Sequence, residues 1–289
     1  MTAPTLEHFA YALPGETGNL AFRHWSAGQG RRPPLLCAHG ISQNSRHFDP
    51  LAERLVNDFD LLVPDYPGRG LSDVFTNSLN YTYPNYIALF QAFFAHLQLT
   101  ELYWLGTSMG GLTGICLAAL PDTPIRKLIL NDIGPFIPKQ TRQQFVIAAQ
   151  APPARFASCA AAQQRMANLF ANFGLSDDAM QAAFVRATLR QESDGSWRPD
   201  YHPGIFDYAR SLSPNNLADV PFWEDWEKVR CPVLVLHGIH STTLTPAIIA
   251  EMRHIRPDID VVDIPDTGHA PHLMSDEQAE LVRGWLLRD

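Results

Sequence analysis

The chain has 289 residues, of which 46% are hydrophobic and 18% charged, and its formal net charge is −8. This composition is typical of a globular protein with a sizeable core, and the length predicts one large domain or two small ones. The acidic balance argues against nucleic acid or an anionic membrane surface as a partner, because both are bound mainly through clustered basic side chains.

Short apolar runs predict strands of a mostly parallel sheet that is covered on both faces. These runs are Leu20–Trp25, Pro34–Ala38, Asp60–Pro64, Leu102–Gly106, Lys127–Leu130, Pro232–Leu236 and Asp260–Ile264. Helical patterns lie between them at Phe48–Asn57, Tyr86–Leu97 and Leu112–Leu120. A last helix begins after Ser275, which forms a capping box with Gln278. This alternation of strands and helices predicts a doubly wound α/β fold.

The stretch from about Pro135 to Trp226 breaks this alternation, because it contains no strand-like run. Its Ala- and Gln-rich segments predict helices at Lys139–Gln150, Arg155–Asn172 and Asp177–Gln191. The stretch is far longer than an ordinary loop. We therefore interpret it as a helical cap over the carboxyl edge of the strands.

The sequence G-T-S-M-G-G at 106–111 contains a G-x-S-x-G motif. It lies between a predicted buried strand and a helix of small residues, the context in which this motif exposes a serine on a tight turn. The start of the helix also favours the negative charge that develops during acyl transfer. We therefore predict that Ser108 is a catalytic nucleophile.

A second motif, H-G-I-S at 39–42, directly follows the strand Pro34–Ala38. A turn at this place supplies one backbone N–H to the oxyanion hole, and the residue after the nucleophile supplies the other. We assign these two groups to Ile41 and Met109. His39 precedes a glycine turn and is interpreted as a structural histidine that hydrogen-bonds the loop.

Ser108 needs a base to take its proton, and histidine is the usual base near neutral pH. The segment G-H-A-P-H at 268–272 lies after the last predicted strand and before the final helix. In the chain order serine, acid, histidine, the base falls in this segment. We assign it to His269, which begins the tight segment after a glycine. His272 is the spare and is interpreted as a surface or pocket-lining imidazole.

These motifs, with D-Y-P-G-R-G-L-S-D at 65–73, L-N-D-I-G-P at 130–135 and L-H-G at 236–238, resemble the α/β-hydrolase superfamily over essentially the whole chain. The set is most similar to bacterial serine hydrolases of the carboxylesterase and carbon–carbon bond hydrolase type. The resemblance implies a mostly parallel eight-stranded sheet with a core at 1–134 and 227–289 and a helical cap at 135–226. Related dehalogenases and epoxide hydrolases carry an aspartate as the nucleophile, so Ser108 argues against both.

The acid departs from the pattern of these relatives, which usually carry an aspartate just after the seventh strand. Thr242 occupies that position here, and the segment His237–Ala250 contains no carboxylate. A threonine accepts a hydrogen bond from imidazole but cannot stabilise the imidazolium by charge. We assign the acid to Asp132, at the carboxyl end of the sixth strand, although some relatives keep an aspartate there that is only structural. The alternatives are a site without a carboxylate, Asp266 and Glu251.

Arg69, in P-G-R-G at 67–70, is a tempting anchor for a substrate. We prefer the interpretation that it is a loop arginine paired with Asp65 or Asp73.

The residues together predict a cofactor-independent serine hydrolase that cleaves small or medium carboxylic esters through an acyl-enzyme on Ser108. Its nearest enzymatic rival is a carbon–carbon bond hydrolase of diketone-type acids. A ligand-binding protein with little turnover is the second class, and the threonine at position 242 is its support.

No cofactor and no metal are expected, because histidine and cysteine do not cluster at ligand spacing. The four cysteines (Cys37, Cys116, Cys159 and Cys231) form no C-x-x-C pair and are predicted to be free thiols. The N-terminus shows no signal peptide, and no apolar stretch approaches the roughly 20 residues of a membrane span. We therefore expect a cytoplasmic protein that acts on a small-molecule ester.

Overall fold

The fold is described by a computed structural model that covers residues 3–28, 32–152, 154–169, 173–175 and 177–288. In these residues the strands are β1 (Thr5–Leu13), β2 (Glu16–Trp25), β3 (Leu35–Ala38), β4 (Leu61–Pro64), β5 (Leu102–Thr107), β6 (Ile125–Asn131), β7 (Phe136–Ile137), β8 (Leu189–Gln191), β9 (Trp197–Pro199), β10 (Val220–Pro221), β11 (Val233–Gly238) and β12 (Asp260–Ile264). The helices are α1 (Asp49–Leu55), α2 (Tyr83–His96), α3 (Met109–Ala118), α4 (Lys139–Ala149), α5 (Cys159–Leu169), α6 (Asp178–Ala187), α7 (Asp207–Arg210), α8 (Trp223–Trp226), α9 (Pro246–Ile255) and α10 (Asp276–Leu286).

Eight of the strands form one sheet in the order β1-β2-β4-β3-β5-β6-β11-β12. The pairs β1/β2 and β2/β4 are antiparallel, and the remaining pairs are parallel. The predicted mostly parallel eight-stranded sheet is therefore confirmed. The first strand of the sheet, β1, was not among the predicted elements.

Helices cover both faces of the sheet because successive strand residues point to opposite sides. In β11, Val233 and Val235 pack in the apolar cluster that includes α2, α3 and α9. Leu234 and Leu236 pack in the cluster that includes α1 and α10. A continuous apolar strand is stable here only because both of its faces are buried, which explains why the strands read as unbroken Val and Leu runs.

Residues 135–226, hereafter the insert, contain helices at three predicted places, although the predicted end of the second, Asn172, lies outside the described residues. The expectation of a strand-free insert is wrong. The chain leaves α6 at Ala187 and forms a short hairpin of β8 and β9, so the helix predicted to continue to Gln191 ends earlier. A second pair, β7 with β10, joins the two ends of the insert. Two- and three-residue strands carry too little pattern to be detected from sequence.

The insert lies over loops at the carboxyl ends of the parallel strands. Asp200 accepts hydrogen bonds from Asn44 Nδ2 (2.9 Å) and Arg46 Nη2 (3.0 Å), both in the loop after β3. Its backbone carbonyl accepts from Gly70 N–H (3.2 Å) in the loop after β4. The insert therefore packs at the same edge of the sheet as the predicted site residues.

Candidate active site

Ser108 lies on the sharp turn between β5 and α3, with φ 51° and ψ −112°. The turn is possible because the residues two positions before and two positions after Ser108 are glycines. A Cβ on Gly106 would lie 2.3 Å from the backbone of Gly110, and a Cβ on Gly110 would lie 2.1 Å from the carbonyl oxygen of Ala38. The glycines therefore let the helix start against the sheet, and the left-handed backbone turns a half-buried serine hydroxyl outward.

His269 lies in the loop after β12, and its Nε2 atom is 2.9 Å from Ser108 Oγ. Its side chain is 28% exposed. On the other side of the ring, Nδ1 is 2.7 Å from Asp132 Oδ2. A carboxylate accepts hydrogen bonds, so Nδ1 carries the proton and Nε2 is left to accept from the serine hydroxyl. The structure thus joins the three residues that were predicted as nucleophile, base and acid.

Asp132 is fully buried at the end of β6, and its backbone is left-handed with φ 56°. Beside the bond to His269, its Oδ1 accepts from Gly238 N–H (2.9 Å) and its Oδ2 accepts from the Ser241 hydroxyl (2.6 Å). Ser241 Oγ in turn accepts from the backbone N–H groups of Thr243 and Leu244 (3.2 and 3.1 Å). The carboxylate is therefore held in one orientation by donors from the end of β11 and from the loop after it, a role that the sequence did not predict for Gly238 or Ser241.

The other candidates for the acid lie elsewhere. Thr242, Glu251 and Asp266 are exposed, and in the described residues none of their side chains hydrogen-bonds His269. His272 is buried instead of lining a surface: its Nδ1 accepts from Met274 N–H (2.9 Å), and burial lowers its pKa to about 4. It is a neutral imidazole that fixes the loop ahead of α10.

The loop after β3 closes against Ser108. A Cβ on Gly40 would lie 3.8 Å from Ser108 Cβ. His39 holds this loop as predicted, because its Nδ1–H donates to Gly40 O (2.7 Å) and its Nε2 accepts from Tyr66 N–H (3.0 Å). Burial lowers the His39 pKa to about 3, so the ring is neutral. Ile41 follows Gly40 in this loop, and Met109 follows Ser108 at the start of α3.

Arg69 does not pair with either predicted aspartate. Asp65 accepts from the backbone N–H groups of Ser45 and Leu71, while Asp73 accepts from Asn19. The guanidinium is buried and donates to the carbonyl oxygens of Ile41 (2.9 Å) and Pro67 (2.8 Å) and to the Tyr86 hydroxyl (2.9 Å). The predicted ion pair is wrong because Asp65 accepts hydrogen bonds from backbone N–H groups instead of from Arg69. The hydrogen bond from Arg69 to the Ile41 carbonyl fixes the orientation of that peptide.

A cavity of about 560 Å³ lies between the insert and the loop after β3. Ile41 and Ser42 line it from the core side. Most of the wall from the insert is apolar. Its apolar lining residues include Phe145, Ala148, Phe156, Met166 and Phe206. A small or medium organic molecule fits this volume.

No group of three or more His, Cys, Asp or Glu residues is arranged to hold a metal ion within the described part of the chain. A search of the same residues finds no helix with the length and apolar character needed to cross a membrane. Cys37 and Cys116 are buried free thiols, and Cys159 and Cys231 are half-buried free thiols.

Comparison with known proteins matches residues 35–283 to the alpha/beta hydrolase family. The 3-hydroxybutyrate-oligomer hydrolase of Cupriavidus necator is 31% identical over 281 residues, which cover 96% of this chain and 95% of that protein. The 2-(acetamidomethylene)succinate hydrolase of Mesorhizobium japonicum is 28% identical over 251 residues, 86% of each chain. The crystal structure of an alpha/beta hydrolase from Novosphingobium aromaticivorans has a TM-score of 0.87 at 26% identity and covers 99% of both chains.

Proposed function

Because this chain belongs to the alpha/beta hydrolase family, we propose that it is a serine hydrolase that cleaves small or medium carboxylic esters through an acyl-enzyme on Ser108. The observation that carries the proposal is His269, which contacts Ser108 Oγ at 2.9 Å and Asp132 at 2.7 Å. A serine, a histidine and a buried carboxylate in this sequence of contacts are the requirements for nucleophilic acyl transfer.

In the proposed reaction, Ser108 Oγ attacks the ester carbonyl while His269 Nε2 takes the hydroxyl proton. The Ile41 and Met109 N–H groups bind the oxyanion, and Asp132 stabilises the imidazolium. Collapse of the tetrahedral intermediate breaks the bond to the alcohol, which leaves with the proton from His269. A water molecule then attacks the acyl-enzyme while His269 takes one of its protons; the bond between the acyl carbon and Ser108 Oγ breaks, His269 returns the proton to Oγ, and the carboxylic acid is released.

The insert is proposed to act as a lid that selects the acyl group. The cavity of about 560 Å³ between the insert and Ile41 supports this role. One relative is a 3-hydroxybutyrate-oligomer hydrolase, so short oligoesters of 3-hydroxybutyrate are the first substrates to test. Such molecules suit both the volume and the mainly apolar wall of the cavity.

The rival hypothesis of a binding protein with little turnover rested on Thr242. Its support falls away because a carboxylate from the neighbouring strand contacts His269. The site has the parts that turnover needs, so we favour an enzyme.

The test compares the wild-type protein with Ser108→Ala on a 3-hydroxybutyrate trimer, a nitrophenyl butyrate and a diketone-type acid. We expect the wild type to hydrolyse the esters and to be labelled at Ser108 by a fluorophosphonate. The variant should lose both properties, and its thermal unfolding should stay close to that of the wild type, because the change removes one oxygen from a half-buried turn. Ester hydrolysis that survives in Ser108→Ala would contradict the nucleophile, and cleavage of the diketone-type acid alone would favour the carbon–carbon bond hydrolase.

A further inference from the structure

The charge of the cavity differs from that of the whole protein. The chain has 30 acidic residues and a net charge of −8, yet no Asp or Glu is among the described residues that line the cavity. Two arginines line it, Arg165 on α5 and Arg210 at the end of α7. A positively charged cavity in an acidic protein indicates that its occupant is an anion.

The two arginines differ in their ion pairs. Arg210 forms an ion pair with Asp207 (2.7 Å) and donates to the carbonyl oxygens of Ala149 and Pro203, each at 2.9 Å. Its charge is balanced, and its donors hold the insert together. Arg165 is exposed, and no carboxylate of the described residues lies within ion-pairing distance of it. Arg165 is therefore the group that leaves a positive charge at the wall.

Arg165 is positioned to bind one end of a substrate that lies in the cavity. Ile41, the proposed donor to the oxyanion, lines the same cavity from the core side, and Arg165 lines it from the insert. The wall between them is largely apolar. A ligand that spans the cavity therefore has its ester at Ile41, an apolar middle and an anionic end at the guanidinium. Guanidinium binds carboxylate through two parallel hydrogen bonds, which suits this end group.

We propose that Arg165 is a specificity residue that binds a free carboxylate of the substrate, so that the natural substrate class is an ester that also carries a carboxylate, such as a short oligoester of a hydroxy acid. The proposal rests on the proposed function and deepens it. The apolar wall packs the hydrocarbon part of each unit, and Arg165 distinguishes an acid from its neutral ester.

The test measures kcat and KM on a 3-hydroxybutyrate trimer and on the methyl ester of the same trimer. In wild type we expect a lower KM for the free acid. Arg165→Gln should raise the KM for the acid by about tenfold, the effect of one charge-assisted contact, and leave kcat and the methyl ester unchanged. The KM of Arg165→Lys for the acid should lie between those of wild type and Arg165→Gln, because lysine keeps the charge and lacks the planar guanidinium.

Arg253→Gln is the matched control, because the substitution changes the net charge by the same amount as Arg165→Gln. Arg253 is exposed on α9 and does not line the cavity. The substitution should alter neither KM. If wild type hydrolyses both substrates but Arg165→Gln changes them equally, or changes neither, the role of Arg165 is refuted and the serine hydrolase stands. If wild type hydrolyses no ester, the proposed function itself fails.

Discussion

The turn after β6 and the loop after β11 lie side by side, because Asn131 and Leu236 are partners in the parallel ladder between these strands. The first region contributes the carboxylate of Asp132, while the last residue of β11 and the loop after it contribute the Gly238 N–H and the Ser241 hydroxyl that hold it. The relatives that the sequence resembles usually place the acid in the second region. Since adjacent strands are about 4.8 Å apart, a carboxylate at either strand end reaches the same imidazole.

Asp132→Asn gives the largest effect that we expect from this comparison. The amide carries no charge and favours the wrong histidine tautomer, so kcat should fall about 10⁴-fold, as in a comparable triad. Steady-state hydrolysis of a short ester measures the change.

The protein offers a matched control in a second Asp–His pair, in which His237 Nδ1 lies 2.8 Å from Asp263. Asp263 is 69% exposed, and in the described residues neither member of the pair hydrogen-bonds a side chain of Ser108, Asp132 or His269. Asp263→Asn should leave kcat within about twofold of wild type. Similar rates for Asp132→Asn and Asp263→Asn would show that Asp132 does not serve His269.

Ser241→Ala gives an intermediate effect. It removes the hydroxyl that donates to Asp132 Oδ2 at 2.6 Å and leaves the carboxylate less firmly oriented. We expect kcat to fall about tenfold, which corresponds to one hydrogen bond to a charged group. Ser241→Thr keeps the hydroxyl and should recover most of the rate. A variant Ser241→Ala with wild-type kcat would mean that Gly238 N–H alone orients the carboxylate.

Thr242→Asp gives the smallest effect, although it restores the residue usual in relatives. Thr242 is exposed and Asp132 already contacts His269, so kcat should change by no more than about twofold. The kcat of Thr242→Asp should be measured together with that of Asp132→Asn, because we expect almost no change in the first and a steep fall in the second. A large increase with Thr242→Asp, together with a silent Asp132→Asn, would return the role of the acid to the loop after β11.

The parts of the molecule that follow from short-range pattern could be predicted from sequence. The buried strands and the G-x-S-x-G turn at Ser108 are of this kind, since each depends on neighbours within about ten residues. The strand β1 was not predicted, because its outer half at Thr5–His8 is mostly exposed and contains no apolar run. Only its inner half, from Phe9 to Leu13, alternates buried and exposed residues.

Contacts between distant parts of the chain could not be predicted in the same way. The contact of Asp132 with His269 spans 137 positions, and that of Asp132 with Ser241 spans 109. Nothing near position 132 distinguishes an acid of the active site from a structural aspartate. Arg69 was misassigned for the same reason, because two of its partners, Ile41 O and the Tyr86 hydroxyl, lie 28 and 17 residues away.

The insert joins the core through a narrow base, where β7 pairs with β10 and Phe222 N–H donates to Pro135 O at 2.8 Å. Phe136 stacks on Trp223 at the same place, with ring centroids 5.9 Å apart. The two ends of the insert are therefore adjacent. The entropy lost on holding them together depends only weakly on the number of residues between them, so an insert of another length costs little extra free energy. Replacing residues 135–226 as one unit would exchange the part of the cavity wall that the insert supplies, while the strand ends that carry Ser108 and Asp132 stay in place. With the lid role proposed for the insert, such a replacement is expected to change substrate preference and leave the proposed catalytic residues unchanged.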